Sequence, residues 1–172
     1  MSHTHENRDD KVSLVEMGPR DGLQNEAATL PLAQRLALIA RLAESGLQRI
    51  EVGAFVSPKK VPQMADSAAL FNALPRRGPT RYAALVPNLQ GLQTAIAARA
   101  DEIGLFTACS DGFTRANIGI SVEESLVRFA PLVQEARSLG IKVRGYLSTV
   151  IACPFDGPTR PKRVAAMAER LL

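Results

Sequence analysis

A chain of 172 residues with 46% hydrophobic and 22% charged content is long enough and apolar enough for one domain with a proper core, which excludes a disordered chain. Its net charge of +4 comes from scattered basic pairs (Lys59-Lys60, Arg76-Arg77, Lys162-Arg163), with no Trp and only two Tyr to stack on bases, which argues against a nucleic-acid partner. No apolar run approaches the ~18 residues of a membrane span, the opening MSHTHENRDDK has no secretory apolar core, and Cys109 and Cys153 are too few for a disulfide framework, so a cytoplasmic protein is expected.

After a polar tail at 1–11, one alternation repeats through 12–172. VSLVEM (12–17) reads as a strand and LPLAQRLALIARLAESG (30–46) as an amphipathic helix with Leu32, Leu36, Ile39 and Leu42 at helical spacing and Gly46 as its left-handed cap. RIEVGAF (49–55) is a strand, followed by a loop with Ser57, Pro58 and Pro62 and a helix around 64–74. RYAALV (81–86) precedes a helix at 89–99. EIGLFTA (102–108) is followed by a long loop and a helix from Val122 to Ser138 closed by Gly140. KVRGYLSTV (142–150) precedes a loop and a helix opening at PKRV.

Strand–helix units at this spacing predict either a (β/α)₈ barrel or a doubly wound sheet. The barrel is favoured, because no GxGxxG or Walker-type loop follows a strand. Polar residues also gather at strand ends, where barrel active sites form: Arg20 and Asp21, Glu51, Asn88, Ser110 and Asp111, Ser148 and Thr149. A complete barrel takes about 250 residues. The fold class is therefore α/β, a partial (β/α)₈ TIM barrel of about five N-terminal strand–helix units, ending within the fifth helix.

The turn GPRDGLQNE carries the most specific chemistry. Asp21 is a hard oxygen ligand suited to Mg²⁺ or Mn²⁺, and Arg20 is a permanent cation that can steady a developing enolate or bind a carboxylate. Glu51 lies in an apolar strand and needs a cation, for which Arg20 is the natural partner. A structural Arg–Glu pair with Asp21 as a turn residue accounts for the same residue types equally well.

GPRDGLQNE resembles the signature of hydroxymethylglutaryl-CoA lyases, and the resemblance continues through EVGAFVSPKKVPQM (51–64), VPNLQG (86–91), FTRANI and SVEESLVRF within 113–129, and RGYLSTVIACPFDG (144–157). It implies cleavage of 3-hydroxy-3-methylglutaryl-CoA to acetyl-CoA and acetoacetate by the complete enzyme, with a divalent metal (Mg or Mn) as cofactor and an acyl-CoA as substrate. By this resemblance Asp21 ligates the metal, Arg20 contacts the acyl-CoA carbonyl that becomes the enolate, and Glu51 supports Arg20. Asn117, Arg144 and Tyr146 correspond to positions that contact the acyl-CoA. An isopropylmalate or homocitrate synthase-like condensing enzyme is the alternative, since those share Arg-Asp-Gly-x-Gln. A non-catalytic half-barrel acting as a binding or assembly module is the alternative of another class.

The family takes two further metal ligands from a His-x-His and its catalytic cysteine from a Gly-rich loop, both on later segments. The histidines here are His3 and His5, in the polar tail, and they are not expected to serve the native metal site. Cys109 and Cys153 read as small buried thiols. Lys59 and Lys60 could attract CoA phosphates or simply be solvated, and Gln24 could orient a metal-bound water or cap its turn. The 172-residue chain alone is expected to be inactive and to self-associate through open barrel edges.

Overall fold

The computed structural model describes residues 12–76 and 78–172; the tail 1–11, with His3 and His5, lies outside them. Four parallel strands run in sequence order: β1 (Arg49–Ala54), β2 (Arg81–Leu85), β3 (Glu102–Ala108) and β4 (Lys142–Ser148). Helix α1 (Leu32–Glu44) precedes β1, and helices α2 (Ser67–Ala73), α3 (Leu89–Ala97), α4 (Asp111–Ile118), α5 (Val122–Ser138) and α6 (Pro161–Leu171) connect or follow the strands.

Alternate side chains divide the sheet into two faces. Ile50, Val52, Tyr82, Ala84, Val86, Ile103 and Leu105 point into one buried layer, where they meet Ile39, Leu70, Phe71, Leu92, Phe129 and Leu132 of the helices. The opposite face carries Glu51, Glu102, Gly104, Arg144 and Tyr146. It is concave. In a flat sheet β1 and β4 would lie about 14 Å apart at ~4.8 Å per strand, yet Tyr146 Oη on β4 reaches Glu51 Oε2 on β1 at 2.6 Å. The sheet curls as an arc of a barrel wall, with the helices on its outside.

Local chemistry sets the helix ends. Ser121 and Glu124 form a reciprocal capping box at the start of α5. At its end Ile141 N–H donates to Ala136 O and Gly140 N–H to Arg137 O, a Schellman closure that needs the φ of +71° Gly140 adopts.

The structure departs from the sequence reading in several places. The strand foreseen at 12–17 is a single parallel bridge, Glu16 to Ile50, held by Glu16 N–H to Arg49 O at 3.0 Å and Glu51 N–H to Glu16 O at 2.8 Å. Val12 and Leu14 are exposed, so the segment lacks the burial that would draw it further into the sheet. The strand foreseen to 150 stops at Ser148, because Thr149 turns to a φ of +55°. The stretch read as a long loop after 108 contains α4, and a short antiparallel hairpin pairs Ala152–Cys153 with Gly157–Pro158 before α6.

Candidate active site

Residues 18–22 coil into one π-helical turn directly after the Glu16 bridge. Asp21 and Gly22 N–H groups both donate to Met17 O, at 2.8 and 3.3 Å, and the Glu16 carboxylate accepts from Gly18 N–H at 2.5 Å. Pro19 presets its own φ and needs no donor at the turn's start. The turn delivers Arg20 inward and Asp21 outward: Arg20 is buried, whereas the Asp21 side chain is 57% exposed.

Arg20 Nε donates to Glu51 Oε1 at 2.5 Å and its Nη1 to Asp21 Oδ1 at 2.7 Å. Glu51, fully buried in β1, accepts from Arg20 with one oxygen and from the Tyr146 hydroxyl with the other. Four of the expected site residues thus form one chain: Asp21, Arg20, Glu51, Tyr146. Arg20 Nη2 donates to nothing among the described residues, leaving its two N–H groups available at a site otherwise closed by ion pairs. Burial and the neighbouring Glu51 carboxylate push the Tyr146 phenol well above its ordinary pKa, with Arg144 and Arg20 pulling back, so Tyr146 is held as a proton donor.

Gly104 on β3 makes that contact sterically feasible. A Cβ there would lie 2.6 Å from Tyr146 Cε2 and 3.1 Å from Glu51 Oε2. An isolated glycine between Glu102 and Phe106, in a strand of otherwise larger residues, is the sequence signal of such a close approach.

The other two expected substrate residues stand apart. Arg144 points toward Glu102, at 3.8 Å from Oε2, while Arg49 Nε lies 3.4 Å from Oε1 of the same buried carboxylate. Asn117 is exposed in the last turn of α4 and shares no hydrogen bond with the four-residue chain. Lys59 and Lys60 are exposed in the loop after β1. Cys109 and Cys153 are buried free thiols, and burial pushes the Cys109 thiol up, with Arg163 opposing.

Asp21 supplies one carboxylate whose Oδ2 makes no hydrogen bond, and no group of three or more His, Cys, Asp or Glu side chains converges among the described residues. One turn later, Gln24 Oε1 is buried without a partner. A single hard oxygen ligand suits Mg²⁺ or Mn²⁺, which are held through one or two carboxylates and complete their shells with water and substrate oxygens. The donor chemistry of Asp21 therefore fits such an ion.

A family model described as HMGL-like matches residues 11–171. The 3-hydroxy-3-isohexenylglutaryl-CoA/hydroxy-methylglutaryl-CoA lyase of Pseudomonas aeruginosa is 47% identical over 161 residues, covering 94% of this chain and 54% of the relative. The crystal structure of the HMG-CoA lyase from Brucella melitensis superposes with a TM-score of 0.91 at 48% identity, over 93% of this chain and 56% of that one. An HMG-CoA lyase from Acinetobacter baumannii, in complex with coenzyme A and 3-methylmalate, gives a TM-score of 0.87 at 32% identity, over 92% of this chain and 52% of that one. The chain spans about half the length of the relatives it matches.

Proposed function

The chain belongs to the HMGL-like family, and from that premise we propose that it is the N-terminal half of a hydroxymethylglutaryl-CoA lyase, the complete enzyme cleaving 3-hydroxy-3-methylglutaryl-CoA to acetyl-CoA and acetoacetate. The observation that carries the reading is the Asp21–Arg20–Glu51–Tyr146 chain, a cation and an outward carboxylate fixed side by side in the turn after the Glu16 bridge. Arg20 Nη2, which has no acceptor among the described residues, is the donor that this reading requires.

Glu51 and Asp21 occupy Nε and Nη1 of Arg20 and so orient its plane, and the free Nη2 donates to the thioester oxygen of the bound acyl-CoA. That oxygen gains negative charge as a base takes the C3 hydroxyl proton, the C2–C3 bond breaks to leave the ketone of acetoacetate, and the enolate of acetyl-CoA forms before a proton returns to its carbon, so donors already oriented stabilise the transition state more than the ground state. Glu51 has both oxygens engaged and acts as the fixed counter-charge, not as a free base. Tyr146, kept protonated, stands beside Glu51 at the acyl-CoA site, and the resemblance assigns Arg144 and Asn117 to the acyl-CoA from outside the four-residue chain. Asp21 provides one ligand for Mg²⁺ or Mn²⁺, an ion that when bound supplies Lewis-acid polarisation of substrate oxygens. A cytoplasmic location goes with this reading, supported by two separate unpaired cysteines.

The test is product analysis on the full-length enzyme carrying this chain. Incubation of 3-hydroxy-3-methylglutaryl-CoA with Mn²⁺ is expected to release acetoacetate and acetyl-CoA in equal amounts. Consumption of acetyl-CoA with a keto acid, and no release, would instead identify a condensing enzyme of the isopropylmalate synthase type.

A further inference from the structure

Glu51 owes its aim to an irregularity in β1. The pairing of β1 with β2 runs Glu51 to Ala83 and then Gly53 to Ala84, so Val52 is an extra residue with no partner, a bulge in a parallel pair. Bulges bend a strand and re-aim its side chains, and are uncommon in parallel sheets. A bulge next to a buried carboxylate needs something that fixes its geometry.

Arg35 of α1 does this. It is one of the largest fully buried side chains in the molecule, at 1% exposure. Its Nη2 donates to the carbonyl of Val52, the bulged residue, at 3.0 Å. Its Nη1 donates to the Asp66 carboxylate and to Gln63 O at 3.3 Å, and Met64 Sδ lies 3.7 Å from Nη2. The stretch Gln63–Asp66 thus forms a socket whose counter-charge holds the guanidinium against the bulge. On the other side of the bulge Ser67 Oγ accepts from Ala54 N–H at 3.1 Å and donates to Met64 O at 2.8 Å, so the same socket grips β1 twice. Gln63 also donates to Glu26 O at 2.9 Å, which ties the socket to the segment leaving the Arg20 turn.

We infer that Arg35 is a positioning residue: it locks the Val52 bulge and thereby holds Glu51 between Arg20 and Tyr146. The VPQM stretch, which presents no side chain to the charge cluster itself, acquires a role as the socket for Arg35. A merely structural buried arginine would stabilise the fold without affecting where Glu51 points.

The kinetic arm of the test rests on the lyase reading; the spectroscopic arm does not. In a Tyr82→Phe background Tyr146 is the only tyrosine of this chain, and its Fermi doublet in the Raman spectrum reports whether its hydroxyl donates to a strong acceptor. Arg35→Met is expected to weaken the donor signature, and Arg35→Lys, which keeps a cation able to reach Val52 O, to retain it. An unchanged doublet in a folded Arg35→Met variant overturns the inference. Should circular dichroism show that Arg35→Met does not fold, Asp66→Asn loosens the clamp from outside the core, and an unchanged doublet there overturns it equally. In the full-length enzyme Arg35→Met is expected to lower kcat by about 10²-fold, as a misplaced active-site group does, with KM little changed and kcat restored in Arg35→Lys. Equal loss in Met and Lys variants refutes positioning. If the parent enzyme releases no acetoacetate at all, it is the lyase reading that fails, and the Raman arm decides this inference alone.

Discussion

Replacing Glu51 by Gln keeps the size of the side chain and removes the charge on which the buried site depends. Both neighbours of Glu51 are donors, Arg20 Nε at 2.5 Å and Tyr146 Oη at 2.6 Å. Glutamine offers only one acceptor oxygen, so its amide group must face one donor. The Tyr146 hydroxyl can turn and accept from that amide; Arg20 cannot. In Glu51→Gln the contact with Arg20 therefore survives as a hydrogen bond to a neutral acceptor, and Tyr146 loses its own acceptor, with Met17 Sδ at 3.8 Å as a weak substitute. Breaking a buried ion pair from one side costs about 3–5 kcal/mol. Asp21 still faces Arg20 at 2.7 Å but is half exposed to water, which reduces the expected loss in Glu51→Gln to about 2–3 kcal/mol, given the small worth of exposed pairs. At about 2.1 cal/mol/K of unfolding entropy per residue, this lowers the Tm of a protein nearly twice this chain's length by about 3–5 °C. Thermal unfolding of the full-length protein reads it, beside Arg20→Met and the double variant. The double variant, with no buried charge left uncompensated, should lose less than the two single losses combined. A Glu51→Gln Tm within about 1 °C of the parent, on the scale of that conversion, would show that the pair is not what holds the site together.

The phenol of Tyr146 has a folded pKa raised above its unfolded value of about 10. Its contribution to stability is therefore fully present below pH ~10 and is lost as pH rises through the folded value, because the unfolded chain releases the proton first. Denaturant midpoints taken at about pH 8 and pH 11, either side of that unfolded value, should fall less in Tyr146→Phe than in the parent, and an equal fall would assign the alkaline loss elsewhere. Asp21→Ala should weaken Mn²⁺ binding in the full-length enzyme with little change in Tm, since the side chain is exposed; Mn²⁺ titration by electron paramagnetic resonance checks it, and unaltered affinity would remove Asp21 from the ligand set. The 172-residue chain by itself should release no acetoacetate and should self-associate, because β4 has no outer neighbour among the described residues and Val150, Ile151 and Phe155 beyond it are exposed. A monodisperse monomer in sedimentation, unfolding cooperatively, would show that the arc is self-sufficient.

Periodicity made most of the architecture legible. The strand at 102–108 and the helix from Val122 to Ser138 have the bounds their patterns predict, since both bury a continuous apolar face. VSLVEM at 12–17 misled because strand-like composition does not fix pairing: only Glu16 finds a partner. DGFTRANI looked like a loop because α4 is short and mostly exposed, burying little besides Thr114. At the site, the Arg20–Glu51 pair was readable from cost alone, as a carboxylate in an apolar strand needs a cation. The Tyr146–Glu51 bond was not, because it depends on sheet curvature that no local pattern records. Arg35 was legible in principle: three residues after Leu32 and four before Ile39, it falls on the apolar stripe of its helix, where an arginine must have a buried partner.

In this mechanism Glu51 and Asp21 hold Arg20 so that it stabilises charge that develops only as the carbon–carbon bond breaks. Steady-state cleavage of 3-hydroxy-3-methylglutaryl-CoA by the full-length enzyme and its Arg20→Gln variant, at saturating Mn²⁺, puts that role to the test. Loss of a donor used only in the transition state predicts a kcat lower by about 10²-fold or more with KM little changed. An undiminished kcat with a large rise in KM would make Arg20 a ground-state anchor and contradict the mechanism.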